Sequence, residues 1–404
     1  MHITFLVVSA HGHLNPTLGV AAELIKRGHR VTFPVPAAFV GAIEAVGAEP
    51  VRYESPVQQM SGLPQRVTGS FFANFQLRLL TEALVVAPAL EQYLVGDSPD
   101  LITFDTMSPF AARVLGHVWD RPVVAMTPSL VSNEHFSMRE MFARHGVTAP
   151  ADDDPAIIEL RERFGAFATG HGVPRDRVDA MGTVLSAGAE PQIVFVPRWF
   201  QPAVDTFDDR YVFVGPCLTD RAHQGEWEPS GAGPVLLISL GTAYDRPEFF
   251  RTCVEAFADT PWQVVMSTGT WMDPAALGAL PGNVAVYPQV PQLRVLQHAS
   301  GFVSHGGMGS TMEALYHGVP LVVVPQMPEQ EINAQRVAEL GLGRMLRPEE
   351  VTPAALRTTV SELAADGAVR ARLADRSRQL RATDGAAVAA DTMEIYAKIA
   401  SGGE

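Results

Sequence analysis

Residues 301–316 read Gly301-Phe302-Val303-Ser304-His305-Gly306-Gly307-Met308-Gly309-Ser310-Thr311-Met312-Glu313-Ala314-Leu315-Tyr316. A short apolar run, Gly301 to Ser304, enters a glycine-rich turn and leaves it with helical periodicity from Ser310 to Tyr316. A strand, a tight turn and a helix in that order form the repeating piece of a parallel sheet covered by helices. Glycines let backbone N–H groups come close to an anion, and a helix N-terminus carries about half a positive charge with unpaired donors. The turn therefore reads as a diphosphate site that needs no metal, with a hydroxyl from Ser310 and a ring donor from His305. Tight packing alone also explains such a turn, and that alternative stays open at this point. Glu313 lies one helical turn beyond Ser310 on the same face, placed to accept hydrogen bonds from a ribose. Ser239-Leu240-Gly241-Thr242 forms a second strand-end turn, from which Thr242 reaches the same phosphates.

The same alternation runs through the chain. Ile3 to Val8 is a continuous apolar run, as in a strand buried on both faces. Leu14 to Lys26 follows as a helix that stops at Gly28. Strands are expected at 30–34, 101–104, 123–126, 192–196, 235–239, 263–266, 284–287 and 321–324. Helices are expected at 37–46, 71–94, 109–119, 248–258, 292–298 and 385–399. Residues 130–190 carry many charges and prolines with helical patches, an insertion suited to substrate contacts. The polar Gly- and Pro-rich stretch 215–233 is the expected linker. The predicted architecture is α/β, with two doubly wound Rossmann-like domains, 1–214 and 234–384, and a ligand cleft between them. The last helix, 385–404, is long enough to pack back on the first domain.

A chain of 404 residues with 47% hydrophobic and 18% charged residues is globular and large enough for two cores. Its formal charge of -14 excludes a basic nucleic-acid surface. The two cysteines, Cys217 and Cys253, make neither a metal-type nor a redox-type spacing, so no metal site is expected. No stretch is long and apolar enough to span a bilayer, and the N-terminus lacks a signal-peptide pattern. A cytoplasmic protein without membrane partners, monomeric or homodimeric, is expected.

The first strand runs into Ser9-Ala10-His11-Gly12-His13-Leu14-Asn15-Pro16. The Gly-x-Gly-x-x-Gly fingerprint of a dinucleotide-binding dehydrogenase is missing from this position. Two histidines stand there instead, at the carboxyl end of a strand, and a neutral imidazole such as that of His13 can serve as a general base. Asp105, at the end of the strand 101–104, is suited to orient it. Equally, Asp105 reads as an N-cap for the helix that starts near Pro109.

Together, His11 to Pro16 and the block from Pro288 to Ala334 resemble the GT-B-fold, inverting, UDP-dependent glycosyltransferases, bacterial macrolide glycosyltransferases in particular. The resemblance covers nearly the whole chain. It implies that His13 removes the proton of an acceptor hydroxyl and that Asp105 pairs with it. It implies that His305, Gly309 and Ser310 hold the diphosphate, Glu313 the ribose, and Glu329 and Gln330 the sugar. Gln289, Val290, Gln292, Gly307 and Thr242 complete the expected donor-binding set. The family usually carries a base-stacking tryptophan where Gln289 stands here. UDP-glucose is thus the first expectation for the donor substrate, a dTDP-deoxysugar the second, and no further cofactor is expected. The expected acceptor is a macrolide or another polyketide or aromatic natural product. Phe71, Phe75, Met107, Phe136 and Met141 are candidates for its apolar pocket. Antibiotic tailoring and self-resistance are both compatible with such chemistry.

Overall fold

The computed structural model describes residues 1–57, 68–181, 190–241, 244, 246–270 and 272–400. They form two compact units. One contains the described residues up to Thr219 and those from Asp384 onward; the other contains Asp220–Thr383.

The first unit is built on seven parallel strands: β1 (His2–Leu6), β2 (Arg30–Val35), β3 (Glu49–Arg52), β4 (Leu101–Asp105), β5 (Val123–Thr127), β6 (Gln192–Val194) and β7 (Tyr211–Phe213). Their order is β3-β2-β1-β4-β5-β6-β7. Strand order reverses between β1 and β4, and ligands of such sheets gather at the carboxyl ends beside that switch. Helices α1 (His11–Lys26), α2 (Val40–Ala45), α3 (Gly69–Tyr93), α4 (Phe110–Trp119), α5 (Met138–Arg144), α6 (Pro155–Gly170) and α7 (Arg175–Met181) cover its two faces. One face packs Leu14, Leu18 and Leu24 of α1 on Ile3, Phe5 and Phe33; the other packs Leu80, Ala87 and Leu90 of α3 on Ile102 and Phe104.

The second unit has six parallel strands: β8 (Val235–Ser239), β9 (Gln263–Ser267), β10 (Val284–Tyr287), β11 (Ala299–Ser304), β12 (Leu321–Val323) and β13 (Gly343–Met345). The order β10-β9-β8-β11-β12-β13 again reverses once, between β8 and β11. Its helices are α8 (Pro247–Phe257), α9 (Gln292–His298), α10 (Met308–His317), α11 (Pro328–Glu339), α12 (Pro353–Ala365) and α13 (Gly367–Ala382). The last helix, α14 (Gly385–Ala400), belongs to the first unit, where Ala389, Ala390, Met393 and Ala397 join the core beneath α1. Arg27 and His29 reach Asp391 and Glu394 of α14 at 2.6 and 2.7 Å. Among the described residues, no helix is long and apolar enough to cross a membrane.

The structure moves several expected boundaries. β1 stops at Leu6 and α1 starts at His11, so His13 stands in the first helical turn rather than in a strand-end loop. The carbonyl of Ala10 accepts from both His13 and Leu14 N–H, which starts the helix that early. Likewise α10 starts at Met308, not Ser310, so Gly309 and Ser310 lie in its first turn. Strands β3, β7 and β13 lie outside the predicted set. They are only 3–4 residues long, and Pro50 in β3 suits an edge position. From Asp220 on, the stretch read as a linker contributes to the second unit. Arg221 is buried there and bonds Glu313 at 2.7 Å.

Candidate active site

In the first unit the switch point brings together two side chains that are far apart in sequence. Leu6 pairs with Phe104 across β1 and β4, so the residues that follow both strands emerge side by side. His13 Nδ1 lies 2.5 Å from Asp105 Oδ2. Asp105 is 2% exposed and His13 29%, so a buried carboxylate holds a ring that solutes can reach. A second anchor fixes the carboxylate: its Oδ1 accepts from Met107 N–H at 2.8 Å. The helix-capping reading of Asp105 falls away, because the N-cap of α4 is Pro109. With the Nδ1 proton donated to Asp105, the neutral ring carries its lone pair on Nε2, the arrangement a general base requires.

The second unit repeats the design at its own switch point. His305 follows β11, and its ring is walled by two glycines. A Cβ added to Gly241 would lie 2.9 Å from the ring, and one added to Gly307 would lie 2.5 Å from Nε2. Burial pushes the ring down to about 4, so it is neutral at working pH. Gly307 caps α10 without a side-chain hydrogen bond, leaving first-turn N–H groups for an anion. Behind this turn, Glu313 is buried; its Oε1 accepts from Arg221 and its Oε2 from Gln292 Nε2, each at 2.7 Å. Gln292 Nε2 also lies 3.2 Å from Ser310 Oγ. Each carboxylate oxygen has two lone-pair positions, so a ribose hydroxyl can still be accepted.

With this geometry in place, comparison with known proteins is direct. NDP-glycosyltransferase YjiC of Bacillus licheniformis is 41% identical over 403 residues, covering 98% of this chain and 97% of that protein. This chain belongs to the macrolide and NDP-glycosyltransferase family. Demethyllactenocin mycarosyltransferase of Streptomyces fradiae is 40% identical, covering 97% of this chain and 86% of the relative. The crystal structure of CalG4, the calicheamicin glycosyltransferase, matches with a TM-score of 0.80 at 39% identity, over 98% of this chain and 97% of that one. Residues 256–394 match the family model for the erythromycin biosynthesis protein CIII-like C-terminal domain. The α/β architecture is accordingly that of the GT-B glycosyltransferases.

The other expected residues fall into two groups in this glycosyltransferase. Gln330 is buried, donating to Tyr244 Oη at 2.7 Å and accepting from Gln326 N–H at 2.8 Å. Glu329 precedes it in the first turn of α11, half-buried, and accepts from Asn333 Nδ2 at 3.3 Å. Gln289 is exposed and Val290 half-buried, just ahead of α9. Thr242 lies outside the described residues. Of the acceptor candidates, Phe71 and Phe75 stack on each other along α3 with centroids 6.2 Å apart, and Phe75 and Met107 pack on the apolar core. Phe136 and Met141 are half-buried before and within α5. None of these five lines the cavity of about 110 Å³ in the first unit, which is bordered by Ser9, Tyr53, Ser55, Leu79, Glu82 and Val86 among others. Sequence reasoning also missed Arg221 and Tyr244. A signal for Glu82 was present: it is a lone acid inside the apolar run Leu79 to Val86.

Proposed function

We propose that this glycosyltransferase moves a hexose, glucose in the first instance, from a UDP-sugar to a hydroxyl of a macrolide or another polyketide or aromatic natural product, with inversion. The observation that carries the reading is the hydrogen bond from His13 to buried Asp105. His13 Nε2 takes the proton of the acceptor hydroxyl as its oxygen attacks the anomeric carbon. The bond from that carbon to the diphosphate breaks, and the electron pair leaves with the nucleoside diphosphate. The charge that develops there is met by the first-turn N–H groups of α10, His305 and Ser310, without a metal ion. Asp105 keeps the ring in the productive tautomer and stabilises the imidazolium. Glu313 accepts the ribose hydroxyls, Glu329 and Gln330 the hydroxyls of the sugar, and Gln289 with Val290 borders the base.

A second reading, transfer of a deoxysugar from a dTDP donor, is favoured by Gln289 at the usual tryptophan position and by the similarity to a relative named as a mycarosyltransferase. Base stacking on an aromatic side chain is worth about 1–3 kcal/mol in single-strand binders, and in its place Gln289 offers only hydrogen bonds to the base, uracil or thymine alike.

A donor panel tests both readings. UDP-glucose, dTDP-glucose and a dTDP-deoxysugar are offered with a macrolide and a flavonoid, with EDTA present, and products are weighed by mass spectrometry. Acceptor-dependent gain of one hexose from UDP-glucose is expected. Gain only from a dTDP-deoxysugar establishes the second reading, and absence of donor binding contradicts both.

A further inference from the structure

A cavity at the carboxyl end of β1 in the first unit holds a charged group that the transfer chemistry does not use. Glu82 projects from the middle of α3 into a space walled largely by Leu6, Leu79, Ala83 and Val86. Its Oε1 accepts from Tyr53 Oη at 2.5 Å and its Oε2 from Ser55 Oγ at 2.8 Å. Ser9 Oγ lies 3.0 Å from Tyr53 Oη and extends the chain of hydroxyls. Burial first, and then the neighbouring carboxylate, push the Tyr53 hydroxyl above its ordinary value, which keeps it a donor.

These partners are all neutral. Three other carboxylates are matched with a cation: Glu190 with Arg113, Glu313 with Arg221, Glu394 with His29. Among the described residues, no arginine, lysine or histidine pairs with Glu82. The two hydroxyls occupy about two of the four lone-pair positions of a carboxylate, leaving capacity for one more donor. A half-buried carboxylate bonded only by neutral hydroxyls still accepts a charged donor, and charge-assisted hydrogen bonds are the stronger kind.

Size narrows the ligand further. At about 110 Å³, the space beside Glu82 accommodates a small substituent of an acceptor whose remainder lies outside it. A tertiary ammonium fits both requirements: its one N–H meets the carboxylate while its methyl groups meet Leu79 and Val86.

We infer that Glu82 selects acceptors carrying a protonated amine, seating that group in the cavity of the first unit. This rests on the proposed reading of that unit as the acceptor-binding one. The carboxylate acts in binding and touches no reacting atom.

The test is equilibrium binding without donor, by isothermal titration calorimetry. The ligands are oleandomycin, whose aminosugar carries a tertiary amine, and its N-demethyl-N-acetyl derivative, neutral at that nitrogen. Wild type is expected to bind the amine at least about tenfold more tightly. In Glu82→Gln the ratio of the two affinities collapses to within about twofold. In Tyr53→Phe, which keeps the carboxylate, the preference persists. A wild-type ratio near one, or an unchanged ratio in Glu82→Gln, overturns the inference. Equal loss in both variants also overturns it, by assigning the effect to the hydroxyl chain instead of the charge. If Glu82→Gln does not fold, a wild-type ratio near one still overturns the inference, and Glu82→Asp, which keeps the charge but withdraws it, is expected to weaken the preference while Tyr53→Phe leaves it. Selective amine binding without sugar transfer defeats the proposed function and leaves this inference standing; transfer without amine preference does the reverse.

Discussion

In the proposed mechanism a single atom of Asp105 sets the tautomer of the base. Its Oδ2 meets His13 Nδ1 at 2.5 Å, and Asp105→Asn replaces that acceptor with an amide able to present a donor instead. The ring then turns to the tautomer that protonates Nε2, which can no longer take a proton. Turnover in Asp105→Asn is expected to fall by about 10²–10⁴, with donor affinity, measured by calorimetry, nearly unchanged. His305 is constrained by shape instead. Gly307→Ala places a Cβ 2.5 Å from Nε2 and must displace the ring, so donor affinity drops at least tenfold while acceptor affinity is retained. Unaltered donor binding in that variant would remove His305 from the diphosphate site. Much of this was legible beforehand, because a histidine after one strand and an aspartate ending another must meet if the strands are neighbours at a switch point. Tyr53 and Arg221 were not, and Glu82 showed only as a lone acid in an apolar run, without its partners. Their partners come from segments whose proximity no local pattern encodes, and Arg221 sits in a stretch whose glycines and prolines signal only a linker.

At the scale of elements, close backbone approaches explain which helices dock where. Gly19 of α1 faces the carbonyl of Cys217, and Gly385 at the start of α14 faces that of Val214; an added Cβ would lie 2.4 and 2.2 Å from those oxygens. Gly19→Ala and Gly385→Ala are each expected to lower the unfolding free energy by about 1–3 kcal/mol, read as a shift in urea midpoint at constant slope. Unchanged midpoints would show that neither approach is tight. The long helices and central strands were legible because burial on both faces demands unbroken apolar runs, as in Ile3 to Leu6 and Val235 to Ile238. Edge strands carry no such demand. Glu49-Pro50-Val51-Arg52 and Gly343-Arg344-Met345 form strands only because a neighbour offers its hydrogen-bonding edge.

For the molecule as a whole, buried histidines set an acid limit. Burial pushes His305 and His317 down to about 4 and also lowers His2, against an ordinary value of 6.5. The unfolded chain binds protons between about pH 6.5 and 4 that the native chain does not. Stability is therefore fully present above about pH 6.5 and falls as pH drops toward 4; thermal midpoints recorded across that range should decline steadily. A flat profile would mean that these rings ionise freely in the folded chain. The two parallel sheets, each reversing once, put one histidine-bearing turn at each switch point: His13 after β1 and His305 after β11.

The most direct measurement is the single-turnover rate of sugar transfer in His13→Ala, with donor affinity determined in parallel, using the donor and acceptor that the wild type accepts. A fall in rate of about 10²–10⁴ with donor affinity within about twofold of wild type is the expected result. Transfer at the wild-type rate would show that the base lies elsewhere and that the pairing of His13 with Asp105 is structural.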